Sequence, residues 1–469
     1  MRKTRAKLRD PEDPIGKFLE GDKPVLVVGF GRSGRSAAEL LADVGCRVVV
    51  SELMDREDFT DMPGKLHPGI DIRWGGHPLD LAEGHGLVVL SPGVPMDSEF
   101  VRRAVKCGAT VIGEMELAYR LSRSPWVAIT GTNGKSTTTT LLGEFARVGK
   151  IPSAVGGNLG TPVTEMILRE GGISWFIVEV SSFQLETVER FHPAVGVLLN
   201  ISPDHLDRYA GEGDYIEAKA NIFRNMEEED WAVVNADDPA VMRMAQNIRP
   251  RLFPFSRKKN LKQGVVFTSG WIVIRDGEKE IRVIHSGEIR LVGKHNLENC
   301  LAAVAAGWKM GIQPSSMARA METFPGLEHR MEPVAFFRGV PIYNDSKGTN
   351  VGATMRSLEG LHSDVILIMG GKDKGTSFDP LRGPISRKVS RLILIGESGE
   401  RMRDALEDTA PIFMAGNLNE AVKEAIDWAR PGNEILFSPA SSSFDMFNSF
   451  EERGKIFKKL VGRYIGGAE

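Results

Sequence analysis

Gly131-Thr132-Asn133-Gly134-Lys135-Ser136 gathers into one short stretch what is needed to hold a row of phosphates. Two glycines let backbone N–H groups turn toward an anion, Lys135 can neutralise β- and γ-phosphate oxygens, and the Ser136 hydroxyl can ligate Mg²⁺. The apolar run Trp126-Val127-Ala128-Ile129 precedes the loop and a helical stretch from Thr137 follows it, so strand, loop and helix come in the required order. With only Thr132 and Asn133 between its glycines, the loop is a shortened Walker A. A phosphate-bound Mg²⁺ also needs a protein carboxylate. Glu179 fits, because it ends the apolar run Trp175-Phe176-Ile177-Val178 and the carboxyl ends of parallel strands face the ligand crevice. His205, in Asp204-His205-Leu206-Asp207, follows a strand that runs through Asn200. It reads as a metal ligand, a phosphate contact or an ordinary surface histidine.

A second anion device stands upstream. Gly29, Gly31 and Gly34 follow the apolar run Val25-Leu26-Val27-Val28 and open a helix, with Glu52 at the end of the next strand. This is the dinucleotide fingerprint, in which the acid meets a ribose hydroxyl. The physics is more general: glycines admit a pyrophosphate to the backbone and the helix N-terminus favours its charge. A nicotinamide or flavin cofactor, a UDP-sugar, or a tight turn without ligand all remain open. A third cluster, Asn344-Asp345-Ser346-Lys347-Gly348-Thr349-Asn350, packs acid, base, amide and hydroxyls together. Such groups are costly to desolvate and suit a polar ligand better than a core. Gly370-Gly371-Lys372-Asp373-Lys374 and Ser438-Pro439-Ala440-Ser441-Ser442-Ser443 follow later strands, so one crevice could collect all three segments.

The elements that must position these residues repeat one plan, an apolar strand followed by alternating helix and strand patterns. It implies an α/β protein of three domains: a Rossmann-like domain over 21–114, a central P-loop domain over 115–326, and a Rossmann-like domain over 327–469. Asp276-Gly277 between alternating runs predicts a hairpin, hence a small antiparallel patch in the central domain. The charged residues 1–20 read as a frayed extension that lacks the apolar segment of a secretory signal. No run approaches the ~18 apolar residues of a membrane span, so none is expected. Cys46, Cys107 and Cys300 are too dispersed for a disulfide framework or a thiolate metal site and suit a reducing cytoplasm. A net charge of −3, with no long basic block, argues against nucleic acid as a partner.

Taken together the motifs resemble the Mur ligases that build the peptidoglycan precursor, from about residue 22 to the C-terminus. Carriers of the resemblance are Gly131 to Thr137, Gly156-Gly157-Asn158, Glu179 to Glu186, Asp204 to Tyr209 and Ala218-Lys219. His295 to Asn299, His329 to Glu332, Asn344 to Asn350 and Ser438 to Phe444 continue it. The Ser-Ser-Phe-Gln-Leu-Glu run and the Asn-Asp-Ser-Lys-x-Thr-Asn segment point to the branch that adds D-glutamate. Neither the Asp-Asn-Pro-Arg motif of the diaminopimelate- or lysine-adding ligase nor the Gly-Thr-His-Gly-Lys loop of the alanine-adding one is present.

The resemblance implies an ATP-dependent ligase that joins D-glutamate to UDP-N-acetylmuramoyl-L-alanine through an acyl phosphate. It implies two Mg²⁺ ions, and a monomer is expected. Gly131, Thr132, Asn133, Gly134, Lys135, Ser136 and Thr137 would hold the ATP phosphates, with Ser136, Glu179 and His205 on the metal. Asn296 and Asn299 would lie near adenine, Arg330 at the phosphates and Asp345 at the ATP ribose. Lys347, Thr349, Lys374, Ser443 and Phe450 would surround D-glutamate. Gly31, Ser33, Glu52, Gly93, Asn158, Ser181 and His205 would meet the UDP-sugar. Lys219, which sequence alone reads as a solvated helix lysine, would carry a CO₂-derived carbamate that holds the second Mg²⁺. The family often has an aspartate-threonine-arginine-like group where Glu52-Leu53-Met54 stands, so the resemblance implies the uracil pocket but not its individual contacts.

Overall fold

The computed structural model describes residues 8–19, 21, 23–59, 66–158, 160–168, 171–202, 209, 211–291, 293–362, 364–373 and 375–466. Among them are four β-sheets. The chain divides into two compact units, Met1–Glu288 with Asn299–Glu322, and Ile289–Glu298 with Thr323–Glu469.

In the first unit, a five-stranded sheet runs in the order Ile70–Arg73, Val48–Ser51, Val25–Val28, Leu87–Leu90, Thr110–Gly113, and every pairing is parallel. Val25–Val28 and Leu87–Leu90 are buried along their whole length because helices cover both faces. Helix Arg32–Asp43 brings Ala37 and Leu41 to one face, and helix Glu99–Lys106 brings Phe100 and Ala104 to the other. Strand order reverses at Val25–Val28, which places the fingerprint glycines at the switch point where nucleotides bind in such sheets.

Residues 8–19 correct the expectation of a frayed extension. Ile15 and Leu19 are buried in the core of the five-stranded sheet. Arg9 donates from its backbone to Arg120 O and from its side chain to Ser124 O (2.9 Å), with its guanidinium 4.5 Å from the Tyr119 ring centroid. Asp13 meets the buried Arg120 at 3.2 Å. Two buried apolar side chains at roughly 1.5–3 kcal/mol each offset only part of the entropy lost on ordering the segment, and the polar contacts of Arg9 and Asp13 add to them.

The second sheet of this unit runs Arg251–Leu252, Trp231–Val234, Val195–Leu198, Trp126–Thr130, Trp175–Glu179, Ser153–Gly157, again all parallel. Trp126–Thr130 is central and wholly buried, so the phosphate loop leaves from the best-anchored strand. The antiparallel patch is present as well. Gly264–Thr268, Trp271–Asp276 and Lys279–His285 form a meander, with Asp276 paired to Lys279 across a tight turn in which Gly277 takes φ +62°.

The second unit carries a six-stranded sheet in the order Glu332–Phe337, Val340–Asn344, Glu434–Phe437, Val365–Gly370, Val389–Ile395, Ile412–Met414. It is parallel except for the edge pair Glu332–Phe337 with Val340–Asn344. The Rossmann-like expectation therefore holds, with an antiparallel strand on one edge. Asn344, Phe437 and Gly370 end neighbouring strands, and the three polar segments read from the sequence leave from them.

Candidate active site

The phosphate loop takes its shape from its two glycines. Gly131 has φ +149°, and a Cβ there would stand 3.0 Å from Leu199 Cβ and 3.2 Å from Asn200 N. Gly134, at φ +88°, caps helix Lys135–Val148, and a Cβ there would lie 2.2 Å from Asn299 Oδ1. Glycine alone meets both demands. The helix that follows has no acidic residue in its first turn, which leaves its unpaired N–H groups and positive dipole end for an anion. Ser136 and Thr137 are buried in that turn.

Two lysines converge on this loop. Lys135 folds back to donate to Gly131 O and Thr132 O, both at 2.9 Å. Lys219, on helix Glu212–Ala220, donates to the same Gly131 O at 3.1 Å. It is only 1% exposed, so it is not a solvated helix lysine. Its ammonium lies 4.5 Å from the Tyr215 ring centroid, and the Tyr215 hydroxyl is 3.2 Å from Thr132 Oγ1.

Glu179 stands level with Ile129 in one neighbouring strand and Gly157 in the other. Its Oε1 accepts from Asn158 Nδ2 at 3.0 Å, while Oε2 is buried without a hydrogen-bond partner among the described residues. A buried carboxylate oxygen left in this state suits a cation. Among the described residues no three His, Cys, Asp or Glu side chains converge. The donors that fit Mg²⁺ here are one carboxylate with hydroxyl and phosphate oxygens, the set this ion favours. His205 and Lys374 lie outside the described residues. Ser181 caps helix Ser182–Leu185 through a reciprocal capping box with Gln184, so part of the Ser-Ser-Phe-Gln motif shapes backbone.

At the first sheet, the fingerprint is built as its glycines require. Gly29 has φ +88°, and a Cβ on Gly34 would fall 1.9 Å from Gly29 O. Gly31 is the open N-cap of helix Arg32–Asp43, with Ser33 half-buried in its first turn. Glu52 accepts from Phe30 N at 2.5 Å through one oxygen and from Met54 N at 3.0 Å through the other, so its carboxylate fastens the turn. Ser91 holds Gly29 O at 3.2 Å, and Gly93 beside it is exposed with open space around it. Leu53 and Met54 are exposed apolar side chains after Glu52.

In the second unit Asp345 is buried, accepting from Ser357 Oγ (2.7 Å), Ser438 Oγ (2.8 Å) and Met331 N (3.3 Å). Burial pushes its carboxyl up to about 6 against the lowering pull of those hydroxyls and the nearby Arg330 charge. Lys347 lies 3.7 Å from the Phe450 ring centroid, which brings together two residues expected at D-glutamate. Thr349 N donates to Lys347 O at 2.8 Å, and Ser443 is buried one residue beyond Ser442. Asn296 of this unit and Asn299 of the first are both buried.

Two polar residues were missed by sequence reasoning. Asn200 pairs with the backbone of Asn133, donating and accepting at 2.9 Å. Arg453 is fully buried and binds Ser346 O (2.8 Å), Ser346 Oγ (3.0 Å), Ser441 O (3.2 Å) and Ser442 O (3.1 Å), so it ties two of the polar segments together. No carboxylate pairs with it at salt-bridge distance among the described residues, and burial lowers its pKa to about 10. Neither had a local signal, since each acts through residues distant in sequence.

Three family models match the chain: Mur ligase MurD-like, N-terminal domain over 23–113, Mur ligase middle domain over 129–307, and Mur ligase, glutamate ligase domain over 329–441. The UDP-N-acetylmuramoylalanine–D-glutamate ligase of Pelotomaculum thermopropionicum is 45% identical over 94% of this chain and 97% of its own. That of Geotalea daltonii is 43% identical over 95% of this chain and 98% of its own. Among solved structures, a pseudomurein peptide ligase type C from Methanothermus fervidus shares the fold at TM-score 0.62 and 18% identity, covering 94% of this chain and 100% of that one. A UDP-N-acetylmuramate-alanine ligase from Thermotoga maritima does so at TM-score 0.57 and 20% identity, covering 95% and 100%. With near-complete coverage by relatives above 40% identity and three family models that follow one another along it, the chain belongs to the Mur ligases, in the family of UDP-N-acetylmuramoylalanine–D-glutamate ligases.

Proposed function

We propose that the protein joins D-glutamate to UDP-N-acetylmuramoyl-L-alanine at the expense of ATP, with ADP and phosphate as products, in a cytoplasmic step of peptidoglycan precursor synthesis. The observation that carries the reading is the convergence of Lys135 and the buried Lys219 on one glycine-shaped loop, near the strand that ends in Glu179.

The alanyl carboxylate is a poor acyl donor until it takes the γ-phosphoryl group of ATP. Lys135 and the N–H groups that open helix Lys135–Val148 stabilise charge on that group as it moves, which is catalysis by placement and electrostatics. Ser136 and the free oxygen of Glu179 are the residues that would hold Mg²⁺, with His205 as a further ligand. The metal supplies added positive charge at the phosphates. Lys219, buried beside the loop, would supply the anion for a second ion by reacting as its neutral amine with CO₂. Asn158 and Ser181 serve the muramoyl-alanine part, and Gly31, Ser33, Glu52 and Gly93 the nucleotide end. Lys347, Thr349, Lys374, Ser443 and Phe450 serve D-glutamate, and Asn296, Asn299, Arg330 and Asp345 the adenosine and phosphates of ATP. The D-glutamate amine attacks the acyl phosphate carbonyl, and the tetrahedral intermediate collapses to amide and inorganic phosphate.

The test is phosphate release measured with UDP-N-acetylmuramoyl-L-alanine across a panel of amino acids. Release that depends on D-glutamate supports the reading. Equal release with another amino acid, or none with any, overturns it.

A further inference from the structure

The strand Val195–Leu198 pairs with Trp126–Thr130, and the pairing continues past both strands. Leu199 N donates to Thr130 O at 3.0 Å and Thr132 N to Asn200 O at 2.9 Å. The ladder would stop there, because the chain turns away into the loop at Gly131. Instead the Asn200 carboxamide stands in for the next peptide. Its Oδ1 accepts from Asn133 N and its Nδ2 donates to Asn133 O, both at 2.9 Å. Thr132 is fixed beside it, with Oγ1 accepting from Ser202 N at 3.0 Å. Both main-chain groups of Asn133 are thus consumed, while its side-chain Nδ2 is buried without a partner among the described residues. A buried donor left unmade is costly, and in a phosphate loop the acceptor it awaits is an oxygen of the nucleotide.

We propose that Asn200 is a positioning residue of the nucleotide site: its carboxamide locks the Asn133 peptide so that Asn133 Nδ2 donates to a phosphate oxygen of the bound nucleoside triphosphate. The Asn133 N–H is correspondingly withdrawn from the cradle, which leaves the phosphates to the N–H groups from Gly134 onward. This rests on the reading of the loop as the ATP site.

A fluorescent ATP analogue with Mg²⁺, titrated without the other substrates, tests it on the full chain. Asn200→Ala should weaken binding roughly tenfold, the factor that corresponds to about one net hydrogen bond. Asn200→Asp is isosteric, keeps the acceptor for Asn133 N and sets a carboxylate against Asn133 O, so it should weaken binding as well, with the melting temperature of each variant showing that the protein titrated is folded. The double variant with Asn133→Ala should bind no worse than the weaker single variant, because one residue acts through the other. Additive losses, or single variants that bind as wild type does, overturn the inference alone. A wild type that fails to bind the analogue overturns the ATP reading and this inference with it.

Discussion

Lys135 and Lys219 share one acceptor, the carbonyl oxygen of Gly131, at 2.9 and 3.1 Å. Two ammonium groups on a single dipole repel each other, and a glycine peptide cannot neutralise both. A triphosphate held at the loop would bring negative charge to both. Loss of charge on Lys219, or its conversion to an anion, relieves the same repulsion.

Lys135→Ala should therefore abolish substrate-dependent phosphate release while leaving the far-ultraviolet dichroism and melting temperature near those of the wild type. The side chain is half-buried and donates to carbonyls of its own loop, so its loss disturbs the core little. A purified variant with near-normal release removes Lys135 from the chemistry.

Lys219→Ala should lose most activity and recover part of it when short carboxylic acids are added, because a small anion can occupy the place of the side chain. Activity measured against acetate or propionate concentration is the readout. An inactive variant that no carboxylic acid restores argues that the lysine acts as a cation on Gly131 O and not as a carbamate.

Arg453→Met should raise the KM for D-glutamate and destabilise the protein by about 2–4 kcal/mol, since the Ser346, Ser441 and Ser442 carbonyls lose their buried donor. Denaturant unfolding and steady-state kinetics measure the two effects. An unchanged KM would mean that the two segments hold their shape without the guanidinium.

Asp345 gives a pH prediction. Its folded carboxyl titrates at about 6, above the ordinary 3.8, so ionisation is disfavoured by folding. The penalty is absent below about pH 4, grows between 4 and 6, and is complete above 6, where it reaches about 3 kcal/mol at 1.36 kcal/mol per unit. Relative to Asp345→Asn, the wild type should thus lose stability as pH rises from 4 to 7. Parallel unfolding curves across that range, with a constant gap between the two proteins, would contradict the assignment.

The legible parts of the molecule are those whose signal is local. Val25–Val28, Trp126–Thr130 and Val365–Gly370 are continuous apolar runs that lead into glycine, and a strand buried on both faces admits little else. Gly131 and Gly134 were readable for the same reason, each answering a backbone demand of its own position. Arg453 was not, because Glu451-Glu452-Arg453-Gly454-Lys455 reads as a solvated helix turn. Its burial is decided by Ser346, more than a hundred positions away in sequence (|i−j| = 107). Asn200 was hidden likewise, as a polar residue that merely ends a strand. Residues 8–19 misled through composition: their charges dominate, yet Ile15 and Leu19, one helical turn apart, were the informative pair.

That segment bears on how the first unit loosens. Asp13 and Arg9 engage Arg120, Tyr119 and Ser124, whereas Ile15 and Leu19 sit under the five-stranded sheet. One short stretch is therefore fastened at both its ends, and neither end can leave without dragging on the other. Its release should be a single cooperative event, so that protease cuts within residues 8–19 would report the opening of the whole clasp and not of one end.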